Sequence, residues 1–425
     1  MSGSRWARLY SGFLELGSGT LAGQLALVAA TPVLTRIYTP VDFGTFAIFS
    51  AAFGTLAAIS CLRMETAITV VDEKSDAKLL HRMCELANAL LAVGYLLAGS
   101  LCLWAISRVA ATPPWSLMVG TVGLGVVLTG AYRIQWAWAI RSSLVREIAR
   151  TKVRQGTSQV ATQLVLGLAG LGPLGLALGS VSGQAAGAFR LARIQKRFPW
   201  KRTELRKMIH DQDGAVRRLY QRFRSYPKYS APAEAISSAA LVLPGALLAT
   251  QFTPVIAGYF LLAMKILGFP MAVIGRAAGE LQQVWHARSR RTASGEAFRA
   301  SLLIMSISAV TMVPVFVLVW LLGARGFAVI FGDQWTNAYF IALILIPVFF
   351  FRLLYSTVST TLAVSERQGR ELTLNIAKLT AALAPFALGH LMSLDARVTI
   401  GYYSAIMATF YLFATVLMVV SLRHQ

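Results

Sequence analysis

Charge is scarce in this chain: only 14% of its 425 residues are Asp, Glu, Lys or Arg, against 56% hydrophobic. Soluble domains carry about a quarter charged residues, so the composition excludes an ordinary soluble protein. Acids are the scarcest of all, with 18 Asp and Glu against 40 Lys and Arg, and all seven Asp fall in loops or at the ends of apolar runs. Cysteine amounts to Cys61, Cys84 and Cys102, scattered in or beside apolar segments, which supports neither a disulfide framework nor a zinc site. The five His never cluster at metal-ligand spacing. No Gly-x-x-x-x-Gly-Lys-[Ser/Thr] loop is present for nucleotide hydrolysis, no span pairs Asp residues, and no connection on the side poor in cations is large enough for a catalytic domain. A non-enzyme is expected, with no cofactor and no metal, any energy coming from a proton or sodium gradient or from the substrate itself. A cleavable leader is not expected either, because Arg5, Arg8 and Glu15 interrupt the first sixteen residues.

What is abundant is long apolar runs. A transmembrane helix needs roughly 20 apolar residues, and runs bounded by charge, Pro and Gly place twelve spans near 14–36, 43–70, 83–106, 115–140, 155–171, 173–192, 229–250, 254–275, 300–322, 337–363, 372–391 and 398–421. The fifth is polar, with Gln155, Gln159 and Gln163; it is either a short span or one whose polar face meets water or protein. The predicted fold is an all-α membrane protein of twelve helices in two pseudo-symmetric six-helix lobes around a central cationic cavity. Its domains are an N-terminal lobe at 1–192, a basic linker at 193–228 and a C-terminal lobe at 229–425.

Orientation follows from the cations, which concentrate on cytoplasmic connections. With the N-terminus inside, 31 of the 40 Lys and Arg lie on inside segments, 4 outside and 5 within spans. Both termini are therefore expected to be cytoplasmic in a multi-pass bacterial inner-membrane protein. The same bias accounts for most of the net charge of +22 without nucleic acid. The longest soluble piece, 193–228, reads as a linker whose cations and aromatics rest on anionic lipid headgroups.

The halves are related by a repeated corner. At an offset of 214, Tyr38, Thr39, Pro40, Val41, Gly44 and Phe46 meet Phe252, Thr253, Pro254, Val255, Gly258 and Phe260, each set between two apolar runs. Arg36 has no counterpart, since Thr250 stands in its place. The shared part therefore reads as an architectural turn, with Pro opening a helix and Gly allowing close approach.

Charges inside spans are costly, roughly 2.5–3.5 kcal/mol each on insertion scales, and mark cavities or partners. They are Arg63 and Glu65 in the second span, Arg133 in the fourth, Lys265 in the eighth, Arg352 in the tenth and Lys378 in the eleventh. Arg133 and Arg352 stand 219 apart, at comparable places in the fourth span of each half, and at that offset Glu147 meets Glu366. Symmetry-related guanidiniums at a repeat interface suit a transporter site, and an Arg fork suits phosphate oxygens. The alternative is that each Arg snorkels or binds backbone carbonyls. Arg276 and Glu280, four apart, read as a structural ion pair.

Gly23-Gln24, the run Pro32 to Gly44, and Leu62-Arg63-Met64-Glu65-Thr66-Ala67-Ile68 together resemble the opening of Wzx-type oligosaccharide flippases in the multidrug/oligosaccharidyl-lipid/polysaccharide (MOP) exporter superfamily. The resemblance implies transfer of undecaprenyl-pyrophosphate-linked oligosaccharide from the cytoplasmic to the periplasmic leaflet by alternating access, for surface polysaccharide synthesis. It also implies membrane lipid, the lipid-linked glycan, and polymerase and chain-length proteins as partners. Arg63, Arg133 and Arg352, assisted by Lys265 and Lys378, would bind the pyrophosphate. Glu65, Glu15 and Glu234 are the candidates for ion coupling. A lipid II flippase and a cation-coupled multidrug exporter of the same superfamily are the rival functions; scarce embedded acid counts against the second.

Overall fold

Each of the two repeated corners begins a helix at its proline, and the reason is local. In the computed structural model, which describes residues 19–107, 115–195, 214–289, 295–359 and 368–423, helix α3 runs Pro40–Ala58 and helix α11 runs Pro254–Ser289. Proline at the first helical position gives up an N–H that has no intrahelical partner there. Ahead of it, the Thr39 backbone N–H donates to Asp42 Oδ2 at 2.8 Å and the Asp42 N–H donates back to Thr39 Oγ1 at 3.3 Å, a reciprocal cap. The second corner keeps half of this device, the Ile256 N–H donating to Thr253 Oγ1 at 3.3 Å.

Every described element is helical. The first half comprises α1 (19–29), α2 (Thr31–Ile37), α3, the four-residue α4 (Ala67–Val70), α5 (Lys74–Ser107), α6 (Trp115–Arg141), α7 (Val145–Leu168), α8 (Pro173–Ile194) and the short α9 (Ala215–Phe223). The second comprises α10 (Ala231–Gln251), α11, α12 (Gly295–Phe331), α13 (Thr336–Ser359), α14 (Gln368–Leu391) and α15 (Ala396–Arg423). Counting Gly19–Ile37 as one span, ten helices among the described residues are long and apolar enough to cross a membrane, and α7 and α8 complete twelve long helices despite weaker apolarity.

The second predicted span, 43–70, is not one helix. It stops at Ala58, passes through Leu62 (φ 51°) and Arg63 (φ 60°) in the left-handed region, makes a single tight turn at Met64–Thr66 and resumes as α4. Left-handed backbone costs an L-residue roughly 1–2 kcal/mol. No Gly or Pro lies between Ile59 and Thr66 to announce the break.

Residue contacts divide the chain into two units: Met1–Ala30 with Phe49–Ser238, and Thr31–Ile48 with Ala239–Gln425. The first corner thus groups with the second half of the chain. The division falls at Ala30, where helix α1 gives way to α2, beside Pro32, which supplies no N–H to continue the helix.

In the first unit, the polar fifth span faces protein. Gln155 Nε2 donates to Gln184 Oε1, Gln159 Nε2 to Ser180 Oγ and Gln163 Nε2 to the Leu176 carbonyl at 3.2 Å, so the glutamines of α7 form a polar seam with α8. Small residues let the helices close over it. A Cβ on Gly23 of α1 would sit 2.5 Å from the Lys152 carbonyl oxygen of α7, and one on Gly156 would overlap the Gly23 backbone. Gly23 of the family-like opening therefore serves helix approach. Helix α9 buries Leu219 and Phe223 in a cluster with Val71, Ala77, Leu80 and Trp138, leaving Arg217, Arg218, Arg222 and Arg224 exposed. The linker residues 196–213 lie outside the described residues.

In the second unit the two corners meet reciprocally. A Cβ on Gly44 would overlap the Pro254 carbonyl, and one on Gly258 would overlap the Pro40 carbonyl. Trp335, fully buried, donates its indole N–H to the Thr35 carbonyl at 2.8 Å, and its ring meets Phe43 edge-on at 4.9 Å. Arg36 Nη2 donates to the Val329 carbonyl at 3.0 Å, satisfying a helix-end acceptor of α12.

Candidate functional site

The interruption at 59–66 positions the first group of sequence-predicted residues. After the left-handed pair Leu62-Arg63 the chain turns inward, so Glu65 is buried, with 5% of its side chain exposed, and points at α6. Arg133 of α6 brings Nη1 to 3.4 Å from Glu65 Oε1, and the same nitrogen donates to the Ala58 carbonyl at 3.0 Å. The Ala58 oxygen is open to it because α3 ends there, leaving its last carbonyls without helical donors. Arg133 thus combines a carboxylate partner with a carbonyl one, and 24% of its side chain remains exposed.

The surroundings are incompletely satisfied. Arg63 Nε, Glu65 Oε2, Asn88 Oδ1 and Thr129 Oγ1 are buried without a hydrogen-bond partner. Asn88 on α5 uses its amide nitrogen on the Val127 carbonyl at 2.9 Å, and Gly130 makes room for its side chain, since a Cβ there would overlap the amide. Cys61 donates weakly to the Gly130 carbonyl, its Sγ 3.6 Å away, and all three cysteines are free thiols. An unpaired polar group in an apolar interior costs about 1–3 kcal/mol, so polar atoms concentrated on α5, α6 and the break mark a place built for more than packing.

About two turns further along α6, at the basic end of the same helices, Arg141 clamps the broken span. Its Nη1 donates to the Ile68 carbonyl at 3.0 Å and to the Val71 carbonyl, and its Nη2 to the Asp72 carbonyl at 2.8 Å. Beside it Trp138 donates its indole N–H to His81 Nδ1 at 2.7 Å, which leaves His81 Nε2 to donate to Glu85 Oε1 at 3.1 Å. In the sequence Arg141 is one of the 31 Lys and Arg on inside segments; the signal that sets it apart is its spacing of eight residues from Arg133, which puts both on one broad face of the helix.

Glu147, matched in sequence with Glu366, lies in the first turn of α7, ahead of the apolar stretch. Arg190 Nη2 of α8 donates to its Oε2 at 2.8 Å and Arg150 Nη1 to its Oε1 at 2.9 Å. Burial pushes the Glu147 carboxyl up, but the hydrogen bonds and charges of Arg190 and Arg150 outweigh it and hold it below its ordinary value. A depressed carboxyl stabilises the fold above its unfolded value, and that contribution is lost as pH falls through its folded value. Thermal unfolding of Glu147→Gln should accordingly trail the parent at pH 7 and converge with it in strongly acidic buffer; a gap that persists in acid would assign the effect to shape rather than charge.

The second unit holds Lys265, Arg352 and Lys378. Arg352 of α13 lies over the Phe349 ring at 5.8 Å. Lys265 is half-buried in α11. Gly268 packs on Phe349 and Gly275 on Leu353 and Ser356, so α11 and α13 run parallel here. Lys265 and Arg352 fall on opposite sides of the Gly268–Phe349 contact, their backbones about 9 Å apart along the axis at 1.5 Å per residue. Lys378 is half-buried in α14. The paired arginines share a place in sequence and differ in setting: Arg133 faces a carboxylate, Arg352 an aromatic ring. Glu234 is half-buried in the first turn of α10; Glu15, Glu366 and the side chain of Glu280 lie outside the described residues.

Twelve long helices in two lobes, with repeated corners, define an all-helical two-lobed architecture, and comparison with known structures finds the same fold. The chain superposes on an inward-facing multidrug resistance MATE family transporter of the MOP superfamily, with TM-score 0.70, 12% identity and 97% of each chain covered. A MATE transporter in complex with MaL6 gives TM-score 0.61 at 11% identity, covering 97% of this chain and 95% of that one. A MOP superfamily transporter from Pyrococcus furiosus, described as having a binding pocket of reverse polarity, gives 0.55 at 12% identity, with 97% and 95% covered. Comparison with curated protein sequences finds no match. The protein shares the fold of these MATE and MOP-superfamily transporters. Within it, residues 33–213 match the family described as "Polysaccharide biosynthesis protein".

Proposed function

We propose that this protein is a flippase that carries undecaprenyl-pyrophosphate-linked oligosaccharide from the cytoplasmic to the periplasmic leaflet of a bacterial inner membrane, by alternating access, for surface polysaccharide synthesis. The observation that carries the reading is the sign of the embedded charge: Arg63, Arg133, Lys265, Arg352 and Lys378 against one carboxylate, Glu65. Guanidinium forks match phosphate oxygens, and a desolvated diphosphate is the anion that a lipid-linked sugar must bring into the membrane. The family match over 33–213 supports the polysaccharide branch. Sugars would occupy the chamber while the prenyl tail stays in lipid. The bias of Lys and Arg to alternate connections supports cytoplasmic termini, and the same reading gives polymerase and chain-length proteins of the pathway as partners.

The buried Glu65 and the similarity to MATE transporters favour a cation-coupled multidrug exporter as the second reading. A lipid II flippase differs from the first only in substrate. The test replaces Arg133 and Arg352 singly with Ala, confirms membrane abundance, and scores surface polysaccharide in a flippase-deleted host. Each variant should lose most of the polymer, by about tenfold or more if one charged hydrogen-bond pair is lost. Undiminished polymer in both would remove these cations from the site. Resistance to cationic dyes on overexpression, or rescue of peptidoglycan synthesis, would transfer the function to one of the rivals.

A further inference from the structure

The Glu65–Arg133 pair sits awkwardly in a site for an anion, and its geometry suggests why it is there. At 3.4 Å the contact is long for a charge-assisted hydrogen bond, which runs about 2.7–2.9 Å. The second carboxylate oxygen, Oε2, is buried and has no hydrogen-bond partner, and neither has the buried Nε of Arg63, two residues away. Arg133 meanwhile donates through Nη1 alone to both Glu65 and the Ala58 carbonyl. Taking a carboxylate out of water costs several kcal/mol, repaid only by excellent geometry and full satisfaction of its lone pairs. Glu65 obtains neither. It is a carboxylate held in place without being well bound.

It is also carried on a segment stored in an unfavourable conformation. Leu62 and Arg63 are left-handed, and nothing in their side chains favours that region. Returning them to right-handed backbone would redirect the turn Met64–Thr66, and Glu65 with it.

We propose that Glu65 is the resident counter-anion of Arg133, which the phosphate oxygens of the substrate displace on binding and which displaces them on release. The ligand class rests on the flippase reading above; the exchange itself rests on the geometry at the break. A phosphate group presents several oxygens to the guanidinium where Glu65 presents one, so it wins when present. When Glu65 returns, the guanidinium regains a partner and the diphosphate is expelled. Without such a competitor, a desolvated Arg–phosphate pair would dissociate slowly. Glu65 in this role is a positioning residue whose signature is residence time.

The test uses the purified full-length protein in detergent with farnesyl diphosphate as probe. Glu65→Gln keeps the shape and removes the charge. It should bind the probe about tenfold more tightly, through a slower off-rate with little change in on-rate, and should support less surface polysaccharide because release is slowed. Glu65→Asp, whose carboxylate is drawn back from Arg133 by one methylene, should fall between the two and carries the measurement if the Gln variant does not purify. Arg133→Ala should abolish the tightening by Gln. Unchanged or weaker binding by Glu65→Gln would overturn the exchange and leave Glu65 a structural partner. Binding to neither parent nor Glu65→Gln would overturn it as well, while the polysaccharide assay with Arg133→Ala and Arg352→Ala judges the flippase reading separately.

Discussion

Gly44→Val and Gly258→Val should each leave little or no properly folded protein in the membrane. Any Cβ at Gly44 overlaps the Pro254 carbonyl, and any at Gly258 overlaps the Pro40 carbonyl. Both obstacles are backbone at the first turn of a helix, so neither can swing aside as a side chain would. Overpacking in a well-formed core costs about 1–3 kcal/mol even where side chains can adjust; against backbone the cost should exceed that range. The milder Gly44→Ala should lower the apparent melting temperature of detergent-solubilised protein, followed as the monodisperse fraction after heating. The two corners share one contact region, so the double Ala variant should lose less than the sum of the singles. Gly94→Ala is the control: nothing lies within 4 Å of the added atom and the site is an exposed helix interior, where Ala is the better helix former. A melting temperature for Gly44→Ala equal to that of Gly94→Ala would mean that the corners do not pack as described.

Arg141→Ala should be the second large effect. Three backbone carbonyls, those of Ile68, Val71 and Asp72, depend on this one guanidinium. They close the C-terminus of α4, a four-residue helix that cannot stand without tertiary support. Hydrogen bonds to a charged group contribute about 1.5–3 kcal/mol each; water at the basic end replaces part of that, so a net loss of about 2–4 kcal/mol is expected. Lys should not restore it, because a single ammonium on a flexible stem does not reproduce a planar fork reaching three acceptors. The measurement is again thermal stability, with surface polysaccharide as a second readout. The break at 59–66 is anchored through α4, so polysaccharide should fall further than protein abundance does. Full stability in Arg141→Ala would show that the span holds its interrupted shape without the clamp.

Much of the architecture was legible because it follows from solvation. Apolar runs bounded by charge and proline mark the long helices, since a backbone in lipid must satisfy itself internally. The corner repeat was visible as well, down to proline opening each helix and glycine permitting contact. The polar fifth span illustrates where such reasoning stops. Gln155, Gln159 and Gln163 announced a polar face, and only the packing of α8 against it showed that Gln184, Ser180 and the Leu176 carbonyl meet it.

The candidate site was legible in its residue types and hidden in its pairings. Composition and spacing alone singled out Arg63, Glu65, Arg133, Lys265, Arg352 and Lys378 as charges within apolar runs, because the cost of burying charge makes each of them an exception there. The tertiary structure decided the rest. It broke the span that carries Arg63 and Glu65, through left-handed backbone at residues whose side chains give no hint of it. It set Arg133 against a carboxylate and Arg352 against a ring, although sequence symmetry treats them alike. The physical reason is range: periodicity and burial cost are properties of one helix, whereas the partner of a charge is chosen by whichever neighbouring helix brings an acceptor within about 3 Å, and no local pattern records that choice.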